Sequence, residues 1–133
     1  MKKNTYISIM LFLITIVTVF HLFIILKLIP YNIAWGGRLK NDNEMYVFET
    51  ISIFINLILI SILLFKGKYL KFHFNEKVLN IMLWIYFFIF SLNTIGNMLA
   101  KTNFEKWFSV ITLILAILIW NILKKEKIIT TTL

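Results

Sequence analysis

Four long apolar runs alternate with short polar connections along the chain. The first runs from Tyr6 to Leu26 and is interrupted only by serine, threonine and His21. As a helix it is about 31 Å long, enough to cross the ~30 Å hydrocarbon core of a bilayer. The second, Val47 to Phe65, carries Glu49 near its start and Asn56 near its middle. The third, Val78 to Ala100, carries Asn80, Asn93 and Asn97, and the fourth, from about Phe104 to Leu123, opens with Glu105 and Lys106 and then stays apolar until Asn121. The runs are continuous, without the alternation of a membrane β-strand, so the pattern predicts an all-α fold. The expected architecture is an integral membrane antiparallel four-helix bundle. It forms a single transmembrane domain over residues 1–133, with helices at about 6–26, 47–65, 78–100 and 104–123. Lys2-Lys3 before an apolar run resembles a signal peptide, but the run is too long for one and no small-residue cleavage site follows, which predicts an uncleaved first helix.

Composition sharpens this reading. Of the 133 residues 60% are hydrophobic and 15% charged, and the mean hydropathy is +0.87, against about 45–50% apolar residues in soluble domains. So few polar groups cannot cover such a core, and the excess apolar surface must face lipid. The net charge of +8 would suggest nucleic acid in a soluble protein. Here the basic residues flank apolar runs, as in inner-membrane proteins, and no nucleic-acid partner is expected. The chain has no cysteine, which excludes disulfides, thiolate metal sites and dithiol redox chemistry together.

The connections set the expected orientation. Nine basic residues (Lys2, Lys3, Lys66, Lys68, Lys71, Lys77, Lys124, Lys125 and Lys127) fall on one side of the four runs, and five (Lys27, Arg38, Lys40, Lys101 and Lys106) on the other, which also holds Asp42, Glu44, Glu49 and Glu105. By the positive-inside rule both termini are expected in the cytoplasm of a bacterial cell, with the chain multi-pass in its inner membrane. The cytoplasmic lysines need no role beyond orientation and attraction to anionic membrane lipid.

Polar groups within the runs are costly and therefore informative. They collect toward the outer side: His21, Glu49, Asn56, Asn93, Asn97 and Glu105. Glu49, Ser52 and Asn56 share a helix face at i, i+3 and i+7; so do Glu105, Ser109 and Thr112, while Asn93, Asn97 and Lys101 follow at i, i+4 and i+8. Such stripes turn toward one another in a bundle, either as hydrogen bonds that fix helix register or as the walls of a polar pocket above an apolar plug. Gly37-Arg38-Leu39-Lys40 before Phe48-Glu49 and Gly96 to Lys101 before Phe104-Glu105 form a weak repeat, which would set Glu49 and Glu105 face to face across the mouth. Capping of the helix dipole by a first-turn glutamate is the simpler explanation of both acids. Arg38, the single arginine beside thirteen lysines, lies in Trp35-Gly36-Gly37-Arg38, where a bidentate pair with Glu49 is the simplest expectation and an anionic ligand or lipid headgroup the less simple one.

At these strings, Trp35 to Leu39, Phe48-Glu49 and Asn93 to Asn97 through Lys101 to Glu105, the sequence resembles a group of small bacterial four-span membrane proteins. The resemblance covers nearly the whole chain and implies no activity. His21 and His73 are expected on opposite sides and cannot ligate one haem, and no metalloprotease, phosphate-loop or nucleophile-elbow motif is present. No cofactor and no enzymatic activity is expected, although His21 with Glu49 or Glu105 could move protons in principle. The functional expectation is a non-enzymatic membrane protein with an outward-facing pocket. Its lining is expected to include Trp35, Arg38, Glu49, Asn56, Asn93, Asn97, Lys101, Glu105 and His21, and its ligand to be a small molecule, a lipid or a membrane protein partner. The alternative is a small multidrug-type or ion-coupled transporter acting as a homo-oligomer.

Overall fold

The computed structural model describes residues 2–33, 35 and 39–131, with side chains up to Lys125. Among them the regular elements are four helices, α1 (Lys3–Ile25), α2 (Asp42–Lys66), α3 (Glu76–Met98) and α4 (Asn103–Thr131), and one short 3₁₀ turn, Tyr31–Ile33. Each of the four helices is long and apolar enough to cross a membrane, as a multi-pass membrane protein requires. The expected runs recur as helices with shifted ends. α2 begins five residues earlier than hydropathy places it, because Asn41 caps it and Asp42 and Glu44 occupy its first turn. α4 continues past the apolar run through its lysines to Thr131.

Neighbouring helices run antiparallel in a square. α3 packs most extensively on α4, α1 on α2, and α1 on α4, whereas the fourth side of the square, α2 against α3, is the thinnest. One end of the bundle holds the α1–α2 and α3–α4 connections and is called the mouth end below. The other holds the start of α1, the α2–α3 connection and the end of α4, and is rich in lysine. The helix termini explain these turns locally. α1 and α2 both stop in a Schellman arrangement, with Lys27 (φ 56°) and Lys68 (φ 58°) at the left-handed position that glycine usually takes. The amides of Leu28 and Tyr69 reach back to the carbonyls of Phe23 and Leu64. Gly67 permits a close approach: a Cβ there would lie 2.4 Å from the Tyr69 ring, which folds back so that its hydroxyl meets Ser8 at 2.9 Å.

The core occupies the lysine-rich half and the middle of the bundle. Ile7, Met10 and Ile14 of α1, Leu59 and Leu63 of α2, Leu83 of α3 and Ile119 and Ile122 of α4 are fully buried there and form one cluster. The apolar faces they leave outward, such as Phe12, Phe54, Ile81 and Phe88, are strongly exposed, which suits lipid rather than water. Trp84, Phe87 and Trp120 contact one another along α3 and α4, two of the three pairs edge to face.

One lysine expected in the connection is part of this interior. Lys66 closes α2 with its side chain wholly buried, and its Nζ donates to Glu76 Oε2 and Asn80 Oδ1, both at 2.6 Å. Hydropathy reads Lys66 as the first residue of a solvated loop, whereas the long stem packs inward and the ammonium fastens the end of α2 to the start of α3.

Candidate functional site

Toward the mouth the aliphatic packing gives way to a cavity of about 300 Å³. All four helices contribute to it: Val17, Phe20 and His21 from α1; Ser52, Ile55 and Asn56 from α2; Tyr86, Phe90, Asn93 and Asn97 from α3; Phe104, Glu105, Phe108 and Thr112 from α4. Ile33 and Trp35 of the α1–α2 connection reach it as well. Its floor is Leu115 and Tyr86, with the buried cluster beneath, so an apolar plug does lie under the polar groups.

The most constrained group at this end is Glu49. It is completely buried, and its two oxygens are held separately: His21 Nδ1 donates to Oε2 at 2.5 Å and the Trp35 indole to Oε1 at 2.9 Å. Trp35 has a left-handed backbone (φ 57°), a costly conformation for a bulky residue, and it brings the indole down onto the carboxylate and against the Phe48 ring 5.0 Å away. Glu49 therefore stands behind the cavity wall, fixing His21 and Trp35, which do line it.

The sequence expectation that Glu49 opens its helix needs correction. It is not a first-turn residue, because α2 starts at Asp42 and the dipole is met by Asp42 and Glu44. Glu49 turns to α1 and is absent from the cavity lining, whereas Glu105 lines the cavity. The Thr102 hydroxyl donates to Glu105 Oε2 at 2.7 Å and accepts the Glu105 amide at 3.3 Å, a reciprocal cap. The two Phe-Glu pairs occupy different positions in their helices, Glu49 as the eighth residue of α2 and Glu105 as the third of α4, and Gly37-Arg38 of the first string lies outside the described residues. The expected partner Arg38 lies outside the described residues; the partners seen on Glu49 are His21 and Trp35.

Of the other expected site residues, Asn56, Asn93, Asn97 and Glu105 line the cavity. Lys101 does not. α3 ends at Met98, and Lys101 sits exposed in the tight turn before α4, so the i+8 member of its stripe leaves the helix before it can point inward. Glu105, Ser109 and Thr112 are all buried, and the Thr94 hydroxyl meets that of Thr112 at 3.0 Å, tying α3 to α4. Their stripe serves both helix registry and the cavity wall.

Asn56 differs from its neighbours. Its side chain is more than nine-tenths buried, it borders the cavity, and its Nδ2 has no hydrogen-bond partner in the chain. A buried amide donor left unpaired costs ~1–3 kcal/mol. Among the described residues it is the one buried side-chain polar atom in that state. Sequence reasoning overlooked the aromatic part of the site. Phe20, Phe104 and Phe108 form a three-ring cluster with centroids 4.9–5.7 Å apart. Tyr86, half-way along α3, donates its hydroxyl to the Ile55 carbonyl at 2.7 Å. The available signal was a tyrosine at mid-membrane, which needs an acceptor close by.

No group of histidine, aspartate and glutamate among the described residues is arranged to hold a metal ion. Chemically, the site offers an apolar chamber, amide donors and acceptors at Asn56, Asn93 and Asn97, and one imidazole whose orientation is fixed by a buried carboxylate. Compared with known proteins, the chain matches no family model, no curated protein and no solved structure.

Proposed function

We propose that this chain is a non-enzymatic membrane protein that binds a small molecule in the cavity at the mouth end of its bundle. The observation that carries the reading is the unpartnered Nδ2 of Asn56 at the wall of a mainly apolar chamber, a donor whose cost a ligand acceptor would remove. The His21–Glu49–Trp35 arrangement serves this reading as a pre-set wall, with imidazole and indole locked before a ligand arrives. In the proposed orientation both termini are cytoplasmic and the mouth faces outward in a bacterial inner membrane, following the basic asymmetry of the connections.

Asn56→Leu tests the proposal because binding and stability should move in opposite directions. An apolar side chain of similar size removes the orphan donor, so the empty protein should gain ~1 kcal/mol in detergent while ligand-induced stabilisation is lost. A variant that is destabilised instead would show that Asn56 holds the fold through a partner of its own, and the binding reading would lose its support.

A second reading, an ion-coupled transporter acting as an oligomer, is favoured by one observation: a buried carboxylate joined to a histidine is a unit that can take up and release a proton. Its weakness is position, since the pair lies toward one end of the bundle and alternating access calls for a site near the midplane. Proton-driven flux in proteoliposomes that disappears in Glu49→Gln would establish transport over binding.

A further inference from the structure

The thinnest side of the bundle is α2 against α3. Side-chain hydrogen bonds between these helices include Lys66 to Glu76 and Asn80 at the lysine-rich end, and Tyr86 to the Ile55 carbonyl half-way along. From Tyr86 to the mouth no side-chain bond joins α2 and α3 among the described residues. In that stretch Asn93 lines the cavity and is exposed, within a helix long and apolar enough to cross a membrane. An exit on this weakly packed side would run along the helices and face the bilayer.

We infer that the cavity takes an uncharged single-chain amphiphile from the lipid phase, its head accepting a hydrogen bond from Asn56 and its chain leaving sideways between α2 and α3. This rests on the binding reading above and names the ligand class and its route.

Three features select the class. The Asn56 amide is a donor without a partner, so the head must offer an acceptor such as a hydroxyl or ester oxygen, which an alkylammonium lacks. The Glu105 side chain lines the cavity, so a carboxylate or phosphate head would be placed beside a second carboxylate. Finally, at about 300 Å³ the cavity lies at the small end of ligand sites, which run ~300–1,000 Å³, and is small for a polar head and a membrane-length chain together. A lipid-derived ligand would therefore keep part of its chain outside, and the weakly packed α2–α3 side beside Asn93 is the proposed exit into the hydrocarbon.

The test uses monoacylglycerols of two lengths, monocaprylin and monoolein, with the full chain in lipid nanodiscs, read by thermal stabilisation and by competition between the two. The inference expects both to bind, with affinities within about tenfold of each other once membrane concentration is used as the scale, because the surplus chain of monoolein stays in lipid. Ile89 of α3 lines the cavity four residues before Asn93, and Ile89→Trp, chosen to fill the proposed exit, should weaken monoolein at least tenfold and monocaprylin far less. Should that variant fail to fold, Ser52→Trp is placed to block the same exit from α2. Binding of monocaprylin with exclusion of monoolein would mean a cup open only at its end; it would overturn the lateral route and leave the binding reading intact. Oleate or oleylamine binding more tightly than monoolein would overturn the uncharged class. Failure of every probe to bind, in wild type and in Asn56→Leu alike, would sink both readings.

Discussion

Removal of the Glu49 carboxylate probes the most tightly built feature of the mouth, and the geometry fixes how large the effect should be. Two donors converge on it, His21 Nδ1 at 2.5 Å and Trp35 Nε1 at 2.9 Å, and the side chain has no solvent exposure. Glu49→Ala abandons both. The indole belongs to a residue 41% exposed, so water can replace its lost acceptor, but the His21 side chain is only 18% exposed and has little such recourse. Most of the penalty therefore falls on the histidine. Breaking a buried pair by removing one partner costs about 3–5 kcal/mol, and the partial exposure of His21 places this case at the lower end, ~3 kcal/mol. Glu49→Gln keeps an acceptor for the indole and presents an amide that can donate to Nδ1 once the imidazole changes tautomer, so its cost should be nearer ~1 kcal/mol. Replacing both partners with leucine should restore the stability to within ~1 kcal/mol of wild type, since no buried charge is left unpaired. Unfolding in mixed micelles at increasing denaturing detergent, followed by far-UV circular dichroism, gives these free energies and those of the single variants His21→Leu and Glu49→Leu. A double variant whose loss equals the sum of the single losses would refute the argument, because His21 and Glu49 would then contribute independently despite their contact.

Three further outcomes are expected. At the lysine-rich end, Glu76→Ala should destabilise the protein by ~1–3 kcal/mol, more than Lys66→Met, because the first leaves a buried ammonium short of its carboxylate and the second removes the charge; the same unfolding assay ranks them. The hydrogen bond and charge of Asp42 raise the Lys27 ammonium above its ordinary value. Their contribution is therefore complete below the ordinary lysine pKa near 10.4 and is lost as pH rises through the raised folded-state value, so Asp42→Asn should flatten a stability profile taken between about pH 9 and 12. Cysteines introduced at Asn41 and Lys68 should react with impermeant maleimide from opposite faces of the membrane, and equal reaction from one face would exclude the proposed orientation.

The sequence and the structure agree most where hydropathy dominates. Four apolar runs long enough for a bilayer have few alternatives to four helices, and the inward turn of Ser52, Asn56, Ser109 and Thr112 follows from their spacing and the cost of facing amides and hydroxyls to lipid. Partner choice was less legible. Glu49 pairs with a histidine 28 positions earlier, a separation set by the path of the α1–α2 connection and by no local periodicity. The start of α2 was misplaced because hydropathy ignores caps: Asn41 accepts the Glu44 amide and begins the helix among polar residues, which moved Glu49 from the first turn into the interior. Lys66 was misread for the complementary reason, since a charge at the end of an apolar run looks solvated until Glu76 and Asn80 are brought beside it. Nothing local distinguishes Asn56 from Asn80; one amide meets a lysine and the other faces a cavity only in the assembled bundle.

The uneven square of helices also bears on how the protein is made. The two best-packed neighbours on either side, α1 with α2 and α3 with α4, are consecutive in the chain, so each pair can enter the membrane as a finished helical hairpin with its own local contacts. The cavity belongs to neither hairpin. His21 and Asn56 come from the first, Asn93 and Glu105 from the second, and the chamber exists only after the hairpins meet. A chain divided in the α2–α3 connection would thus yield two insertable halves whose reunion creates the site, and anything that occupies the cavity would act as a late assembly factor, holding together the seam that packing leaves weakest.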